Sequence, residues 1–395
     1  MAMHRKQYSY PLRLGNQFSL LVDGDCFYTH MLQAIAQAER SVLLEQYLVE
    51  SGCITERFIE QLSKAAQRGL HVCVLLDDYG SANLSRFDRE RLQRHGVQLQ
   101  LYNPVHFKHF HLSLFRTHRK LLIIDQRLAF VGGAGIADEF SAECSGPQYW
   151  HEVMVQIEGP VVTDWVNLFH KTWHEAPKPM LELNPTSTEH LELDRAKQNS
   201  GHQLGRVLVN SPLRQQEINR SLIKHLRRVQ QRAWITTPYF VASRKIRRVL
   251  RLTARRKVDV LLLLPGHHSD HPWVTYAARR YYMRLLRSGV RIFEYQPRFT
   301  HSKILLCDNW VSIGSSNLDR WNQYWNLDAN QAVYDADFAN EVIELFQTDF
   351  AVSREITLSE WQQRPLRTRL REWFSGQLVY LLERFGRGAR QGSRD

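Results

Sequence analysis

The chain has 395 residues, enough for two domains of ordinary size, and 43% of them are hydrophobic. This composition excludes a disordered or low-complexity protein over most of the length. An excess of 52 Lys and Arg over 40 Asp and Glu gives a formal charge of +12. The charge predicts an anionic partner, which can be nucleic acid, a membrane surface or a phosphorylated substrate.

The five cysteines lie far apart and form no CxxC pair: Cys26, Cys53, Cys73, Cys144 and Cys307. An odd, scattered set argues against a disulfide framework and a structural zinc site, so the reducing cytosol is the expected compartment. Residues 1–21 lack the continuous apolar core of a signal peptide. Aliphatic runs such as Val260–Leu264 are far shorter than the ~18 residues that a membrane span needs, and we expect no such span.

An internal repeat organises the chain after an N-terminal stretch that we interpret as an arm or an edge strand. Residues 41–81 and 233–270 both predict strand, polar turn, amphipathic helix, strand and loop at the same spacing. Each copy continues through a helix into a short strand, at 92–104 and 285–297. Each then ends in a hairpin, at 117–133 and 300–316. Strands that alternate with helices of about a dozen residues predict an α/β fold.

The repeat also predicts the domain boundaries. We expect an N-terminal domain over 1–180, a linker over 181–205, a C-terminal domain over 206–360 and a basic amphipathic segment over 361–395. Apolar residues recur near helical spacing in the last segment: Leu366, Leu370, Trp373, Phe374, Leu378, Leu381, Leu382 and Phe385. Either a helix docked on its own domain or a helix at a membrane surface accounts for this pattern.

One spacing, HxKx4D, occurs once in each repeat. The two copies comprise His118, Lys120 and Asp125, and His301, Lys303 and Asp308. Chance supplies roughly 0.05 copies per chain at average composition, so the duplication is a strong signal. Because side chains alternate along a strand, His and Lys share one face while the Asp, seven residues from the His, points the other way. We therefore expect the His and Lys to carry the chemistry and each Asp to have a supporting electrostatic or structural role.

Two imidazoles and two ammonium groups converge if the halves pack about a pseudo-twofold axis. Such a site suits a phosphodiester, because lysines stabilise the charge that develops in the pentacoordinate transition state. One histidine can attack phosphorus while the other protonates the leaving oxygen and later activates the incoming nucleophile. The protein's own cations replace a metal ion, so we expect neither a metal nor another cofactor.

Two further segments fit a supporting role. Residues 314–317, Gly-Ser-Ser-Asn, follow the second motif and offer hydrogen-bond donors to phosphate oxygens. The segments YWHE at 149–152 and YWNLD at 324–328 place Glu152 and Asp328 at comparable positions. A carboxylate there either holds an imidazole in the correct tautomer and raises its pKa, or forms a structural ion pair.

These motifs resemble the phospholipase D superfamily, whose hallmark is a duplicated HxKx4D followed by a glycine-rich turn ending in Asn. The resemblance covers about residues 18–350 and is strongest to the bacterial cardiolipin synthases of the short type without N-terminal transmembrane segments. It rests on EQYLVES (45–51), QRGLHVCVLLDDYGS (67–81), WHEVMVQIEGPVV (150–162), SDHP (269–272), RSGVRIFEY (287–295) and GSSNLD (314–319).

The resemblance implies two pseudo-twofold-related α/β/α domains that form one bilobal unit. It implies phosphatidyl transfer through a phosphatidyl-histidine, with His118 as nucleophile and His301 as general acid and base, or the reverse. The residues that match the family's catalytic positions are His118, Lys120, Asp125, His301, Lys303 and Asp308, with Glu152 and Asp328 as orienting acids. The expected substrate contacts are Gly133, Ser315, Ser316 and Asn317. The first motif ends with Gly135 where the family pattern has Asn, which removes one phosphate donor.

The leading hypothesis is a cardiolipin synthase with phosphatidylglycerol as donor and phosphatidylglycerol or phosphatidylethanolamine as acceptor. The partners would be phospholipids and the anionic inner-membrane surface, without obligate nucleic acid, at the cytoplasmic side of the membrane. The alternatives are a hydrolytic phosphodiesterase or nuclease, and a binding protein with a lapsed site. The oligomeric state stays open.

Two clusters remain after this assignment. We interpret the His-rich stretch at 267–271 as a substrate rim or a plain loop and not as a metal site. Trp321, Tyr324 and Trp325 form either core or an acyl-chain entrance, and Trp273 and Tyr276 are further candidates for the site mouth.

Overall fold

The computed structural model describes residues 8–104, 112–176, 201–212, 215–319 and 325–366, together with Leu370, Glu372, Phe374 and Gln377. The strands are β1 (Arg13–Val22), β2 (Ser41–Gln46), β3 (His71–Asp77), β4 (Gln98–Tyr102), β5 (Arg116–Thr117), β6 (Lys120–Ile124), β7 (Leu128–Gly132), β8 (Val153–Glu158), β9 (Gln203–Ser211), β10 (Gln215–Gln216), β11 (Arg232–Thr236), β12 (Asp259–Pro265), β13 (Arg291–Tyr295), β14 (Ile304–Cys307), β15 (Trp310–Gly314), β16 (Asn326–Tyr334) and β17 (Ser353–Ile356). The helices are α1 (Gly24–Gln37), α2 (Cys53–Gln67), α3 (Arg86–Arg94), α4 (Ala142–Ser145), α5 (Val162–Glu175), α6 (Glu217–Arg228), α7 (Arg244–Arg255), α8 (Pro272–Arg279), α9 (Tyr282–Leu286), α10 (Ala336–Ala351) and α11 (Leu358–Gln362).

Two sheets repeat the same strand order, which confirms the predicted α/β fold of two related halves. The first sheet runs β4-β3-β2-β6-β7-β8-β1, and the second runs β13-β12-β11-β14-β15-β16-β9 with β17 added beside β13. The three outer strands of each series are parallel because helices connect them, and the hairpin strands are antiparallel. The predicted hairpins are β6–β7 and β14–β15.

The N-terminal strand β1 is the last strand of the first sheet, as expected of an edge strand, and it also joins the two halves. It pairs with β8 along residues 17–22 and with β9 of the other half through Arg13 and Asn16. Its Phe18 is buried in a hydrophobic cluster that both halves share. The first residues of β1 thus pair with one sheet and the later ones with the other.

The shared cluster lies between the two sheets. It includes Trp165 and Phe169 from α5 and Phe338 and Phe346 from α10, packed against inward-facing strand residues of both halves. Separate clusters fill the space between each sheet and its outer helices. Both faces of each sheet are therefore covered, which is why β6 and β14 are buried along their entire length.

Cys53 and Cys144 form a disulfide with their Cα atoms 6.1 Å apart, so the prediction from scattered cysteines is wrong for this pair. The carboxylate of Asp138 accepts hydrogen bonds from the backbone N–H groups of Cys53 and Ile54 and brings the start of α2 close to α4. A separation of 91 residues hides this proximity in the sequence. Cys26, Cys73 and Cys307 are free.

The described part of the chain contains no helix with the length and hydrophobicity needed to cross a bilayer. Most of the predicted linker lies outside the described residues, and β9 already begins at Gln203, so residues 203–205 are strand. Trp373, Leu378, Leu381, Leu382 and Phe385 of the C-terminal segment also lie outside the described residues. The division of the chain at residues 180, 205 and 360 stays a prediction.

Candidate active site

Two short backbone pairings join the halves where the motifs begin. Thr117 in β5 lies opposite Leu327 in β16, and an isolated bridge pairs Thr300 with His151. In both places the backbone N–H of the next residue, a motif histidine, donates to the carbonyl of the paired residue, at 2.9 and 2.8 Å. The same arrangement therefore occurs twice, and each time it sets a motif histidine beside a strand of the other half.

Asp328 orients the first histidine from the opposite half. The Nδ1 atom of His118 lies 3.0 Å from Asp328 Oδ1, and the hydroxyl of Ser315 donates to the same oxygen at 2.8 Å. Asp328 is fully buried, so its carboxylate is held by these contacts and not by bulk water. With Nδ1–H donated to the carboxylate, Nε2 of His118 carries the free lone pair.

Glu152 holds the second histidine in the reciprocal way. The Nδ1 atom of His301 lies 2.6 Å from Glu152 Oε2, and the Nζ atom of Lys303 lies 3.2 Å from the same oxygen. The other oxygen accepts from the Val153 N–H at 3.0 Å. The contacts with His118 and His301 give Glu152 and Asp328 the orienting geometry expected of them, and each acts on the histidine of the other half.

The net pKa of both imidazoles is lowered, although each adjacent acid raises it as expected. Burial, reinforced by Lys120, lowers the pKa of His118 to about 4 despite the hydrogen bond to Asp328. Burial and Lys303 lower the pKa of His301 in the same way, against the opposing effect of Glu152. The acids orient the rings, but the desolvation of each imidazolium and the nearby ammonium group outweigh them.

The lysines are buried and close enough to affect one another. Burial, followed by repulsion from Lys303, lowers the pKa of Lys120 to about 7. Burial also lowers the pKa of Lys303, although Glu152 opposes the shift. The Nζ atom of Lys120 donates to the His118 carbonyl at 2.6 Å, and Lys303 lies against the ring of His301. Burial is the larger cause of both shifts, and the two ammonium groups are suited to bind an anion.

Asp125 and Asp308 lie in the hairpin turns, away from the imidazoles. Each carboxylate accepts three backbone N–H groups that precede the first parallel strand of its half, at residues 39–41 for Asp125 and 230–232 for Asp308. Both residues adopt a left-handed backbone, with φ of 52° and 50°. These contacts fit the structural role expected of each Asp, because they fix the hairpin to the neighbouring strand and so help to position the His and Lys of the motif, while a direct catalytic role stays a prediction.

The glycine-rich turns support the acids more than they face a substrate. Ser315 donates its hydroxyl to Asp328, and the Ser316 N–H donates to Asn330 Oδ1 at 3.2 Å. The substrate contacts expected of both residues stay predictions. In the first half a Cβ on Gly133 would lie 2.2 Å from Glu152 Oε2. Gly133 therefore leaves room for the Glu152 carboxylate.

The departure at Gly135 has a steric reason. A Cβ at this position would lie 2.8 Å from both Cβ and the carbonyl oxygen of Leu48, so an Asn side chain does not fit. Asn317 at the equivalent place in the second half is buried, and its Oδ1 has no hydrogen-bond partner among the described residues. Only the second turn thus carries an Asn side chain, at Asn317, whereas the family pattern has an Asn in both turns.

Aromatic rings around the histidines were not predicted as site residues. Tyr47 lies edge-on to His118 with ring centroids 4.9 Å apart, and Trp150 lies 5.3 Å from His301. Phe140 and Phe299 also contact the His301 ring, at 5.6 and 5.9 Å. Tyr47 and Trp150 stand within the EQYLVES and YWHE segments, but a single sequence does not show which of their residues reach the site.

The segment that carries Glu152 is fixed by a buried ion cluster, which sequence reasoning also missed. His151 contacts Asp23 at 2.7 Å and Asp349 at 3.2 Å, and Arg298 also pairs with Asp23. Burial alone would lower the pKa of His151, but the two carboxylates raise it to about 10. This cluster joins the halves one residue before Glu152 because Asp23 and His151 belong to one half and Arg298 and Asp349 to the other.

The remaining candidates lie at the rim or outside the described residues. His267, His268, Asp270 and His271 are exposed, and Trp273 is 40% exposed at the start of α8. Trp325 is buried and packs against Phe115 with ring centroids 5.3 Å apart, whereas Trp321 and Tyr324 lie outside the described residues.

Solved structures share this fold. Phosphatidylserine synthase from Haemophilus influenzae superposes with a TM-score of 0.73 at 14% identity, over 93% of this chain and 94% of that one. Polyphosphate kinase from Porphyromonas gingivalis gives a TM-score of 0.59 at 15% identity, over 93% of this chain and 53% of that one. At such identities the likeness establishes the fold alone.

Sequence comparison is more specific. A cardiolipin synthase from Alkalihalophilus pseudofirmus is 31% identical over 375 residues, which are 94% of this chain and 73% of that protein. A cardiolipin synthase A from Pseudomonas fluorescens is 33% identical over 357 residues, 89% of this chain and 72% of that protein. The profile described as "Cardiolipin synthase, PLD-like domain" matches residues 31–173 and 222–350, one stretch in each half. The chain belongs to this family of phospholipase D-like cardiolipin synthases.

Proposed function

We propose that this protein is a cardiolipin synthase that transfers a phosphatidyl group between phospholipids through a covalent phosphatidyl-histidine. The observation that carries the proposal is the pair of crossed contacts, His118 with Asp328 and His301 with Glu152. They hold both imidazoles by Nδ1 beside two buried lysines, and the Nζ atom of Lys303 also lies 3.1 Å from Nε2 of His301. Two histidines and two lysines in this arrangement can carry out a double displacement at phosphorus.

In the first displacement, Nε2 of His118 attacks the phosphorus of phosphatidylglycerol. A phosphorus–nitrogen bond forms, the bond between phosphorus and the glycerol oxygen breaks, and protonated His301 gives its proton to that oxygen. The depressed pKa of His118 keeps its lone pair available. His301 takes up its proton when the anionic substrate is bound, because the phosphate charge and Glu152 then both favour the imidazolium.

In the second displacement, neutral His301 removes the proton from a hydroxyl of a second phospholipid. That oxygen attacks phosphorus and the phosphorus–nitrogen bond breaks, which releases His118 and forms cardiolipin when the acceptor is phosphatidylglycerol. One glycerol leaves for each cardiolipin formed. Phosphatidylethanolamine is the other acceptor that we propose. Its neutral amino nitrogen would attack phosphorus and give a proton to His301, the bond to His118 would break, and the product would be a phosphoramidate in place of cardiolipin.

The lysines stabilise the charge that accumulates on the phosphoryl oxygens in both transition states. Lys120 and Lys303 are buried, so their attraction to the anion is stronger than in water. We propose that Asn317, buried in the turn after the second motif, donates its amide N–H to the same group. We also propose contacts to phosphate from the backbone N–H of Gly133 and the hydroxyl of Ser316.

Transfer must compete with hydrolysis by water. Aromatic rings of Tyr47, Phe140, Trp150 and Phe299 surround the two imidazoles and reduce the access of water to the covalent intermediate. An acceptor lipid held beside phosphorus can have an effective molarity of about 10⁵ M or more, well above that of water. This supports synthesis over release of phosphatidic acid.

The proposed place of action is the cytoplasmic face of the membrane, with peripheral attachment to its anionic surface. The substrates are membrane lipids, and the chain carries a formal charge of +12. In the C-terminal segment Leu366, Leu370 and Phe374 are 70%, 56% and 64% exposed at helical spacing, while buried Glu372 accepts a hydrogen bond from Arg364. One side of this segment thus docks on the protein and another presents apolar side chains.

Product analysis tests the proposed reaction. Purified protein is incubated with phosphatidylglycerol vesicles, and separately with vesicles that also contain phosphatidylethanolamine, and every new phospholipid is identified by mass. We expect cardiolipin with equimolar glycerol in the first case, and added glycerol should reverse the reaction. Dominant phosphatidic acid would show a hydrolase, and cleavage of nucleic acid without lipid turnover would show a nuclease.

A further inference from the structure

We propose that the outward face of helix α7 is a docking surface for an anionic bilayer. Six of the 12 residues of α7 are Arg or Lys and none is acidic. Arg244, Lys245, Arg248 and Arg255 are exposed, and the described residues provide no acidic partner for any of them. The proposal rests on the proposed function in one respect: the anionic partner is taken to be the membrane that holds the lipid substrate.

The internal repeat provides a comparison within the molecule. Helix α2 holds the equivalent place in the first half, between β2 and β3, as α7 does between β11 and β12. Helix α2 carries two Glu and two basic residues, and Arg57 and Lys64 are paired with Glu143 and Glu60. The fold position therefore does not require a basic face, and the unbalanced charge is specific to α7.

The charge of α7 does not serve the stability of the helix. Arg244 and Lys245 lie in its first turn, where positive charge opposes the helix dipole. Arg244 and Arg248, and Arg251 and Arg255, are like-charge pairs at i,i+4 and repel each other. The helix is held instead by its inward apolar side, which includes buried Ile246, Val249 and Leu250. The outward charges are therefore available for an anionic partner.

Apolar groups within and beside this face favour a bilayer over nucleic acid. Leu252 is 46% exposed and lies on the outward side between Arg248 and Arg255. An exposed leucine within a basic face gains free energy by entering the headgroup boundary and gains nothing from a phosphodiester backbone. Trp273, 40% exposed at the start of α8, adds the kind of ring that prefers the interface.

The helix also begins near the candidate site. Residues 237–243 connect β11 to α7, and in this loop Thr237 Oγ1 accepts the N–H of Leu318, next to Asn317. In a parallel strand–helix–strand unit the helix starts at the edge where the strands end, which is the edge that carries the histidines. Docking through α7 therefore keeps the site close to the surface that supplies its lipids.

The test uses full-length protein and vesicles of phosphatidylcholine with one quarter phosphatidylglycerol, with binding measured by sedimentation. In one variant Arg244, Lys245, Arg248 and Arg255 become Gln, which preserves helix propensity. In a control of equal charge change, Arg57, Lys64, Arg86 and Arg94 of α2 and α3 become Gln. Each basic residue near an anionic surface contributes about fivefold in affinity, so the four substitutions of the α7 variant should together reduce the affinity about 600-fold at low salt. The control should lose less than about threefold.

Three results would overturn the proposal: unchanged vesicle binding by the α7 variant, equal loss in the control, or loss of binding to double-stranded DNA with vesicle binding retained. Thermal unfolding and turnover of soluble short-chain phosphatidylglycerol verify that the α7 variant is folded. Vesicle binding is measured without turnover, so the two proposals can fail separately. If the unaltered protein makes no cardiolipin but the α7 variant still loses vesicle binding, only the proposed function is refuted.

Discussion

The imidazole of His118 donates a hydrogen bond to Asp328, a residue 210 positions further along the chain in the other half. The reciprocal contact joins His301 to Glu152 across 149 positions. Each half thus supplies one histidine and the acid that orients the histidine of its partner. Neither half contains a complete site, and the following predictions depend on this exchange.

Removing the charge of an orienting acid should reduce turnover without unfolding the protein. Asp328→Asn and Glu152→Gln keep the side-chain size but no longer fix the Nδ1–H tautomer of the histidine. A loss on the order of 10³–10⁴ in kcat is expected from the equivalent change in an Asp–His pair. Steady-state kinetics on phosphatidylglycerol check this, and kcat within threefold of the unaltered protein would show that the crossed pairs are merely structural.

Asp125 provides the matched control, because it belongs to the same motif but lies in the hairpin turn. Asn tolerates the left-handed backbone at this position, so Asp125→Asn should keep the turn. The substitution replaces the carboxylate that accepts three backbone N–H groups with a weaker, uncharged acceptor. We expect a loss of about 1–2 kcal/mol in the free energy of unfolding and little change in kcat for the folded enzyme. Denaturant titration and kinetics separate the two effects. A large fall in kcat at unchanged stability would return Asp125 to the catalytic residues.

Gly133 should be intolerant of even one added methyl group. The Cβ of Gly133→Ala would lie 2.2 Å from Glu152 Oε2, so the carboxylate must move away from His301. A displacement of about 1 Å in a catalytic group can reduce the rate about 10²-fold, and we expect an effect of that order in kcat. Ala134→Gly, one residue on, is the control for backbone flexibility. Equal kinetics for Gly133→Ala and the unaltered enzyme would refute this steric role.

The affinity for an anion should fall as the pH rises through neutrality. Burial and Lys303 lower the pKa of Lys120 to about 7, so its ammonium is present below that pH and lost above it. A soluble phosphodiester should therefore bind more weakly at pH 8 than at pH 6, by calorimetric titration. Lys120→Met should bind weakly at both values and show a flatter profile. Affinity that rises with pH would contradict the assignment of Lys120 as an anion-binding cation.

Local patterns predicted much of this molecule. The duplicated HxKx4D spacing and the order of strands and helices depend on a few consecutive residues, and the structure reproduces both as the β6–β7 and β14–β15 hairpins within two equivalent sheets. The crossing of the acids could not be predicted. It depends on the register of β5 against β16 and of Thr300 against His151, which is set by packing between halves.

The same limit explains the other errors. The pKa of each histidine depends on the balance of burial and nearby charges, and spacing along the chain reports neither. The disulfide between Cys53 and Cys144 and the ion cluster at His151 join residues that are distant in sequence. The sequence also does not show that the neighbours of Gly133 and Ser315 across the glycine-rich turns are Glu152 and Asp328.

Trapping of the covalent intermediate tests the central claim most directly. His301→Ala keeps the nucleophile but lacks the group that activates the second hydroxyl, so the phosphatidyl group should remain on the enzyme. Brief incubation with phosphatidylglycerol, proteolysis and mass spectrometry should locate a phosphatidyl group on the peptide with His118, and His118→Ala should show none. A group trapped on His301 in His118→Ala would reverse the two roles. No adduct in either variant, or near-normal turnover in one of them, would contradict the two-histidine mechanism.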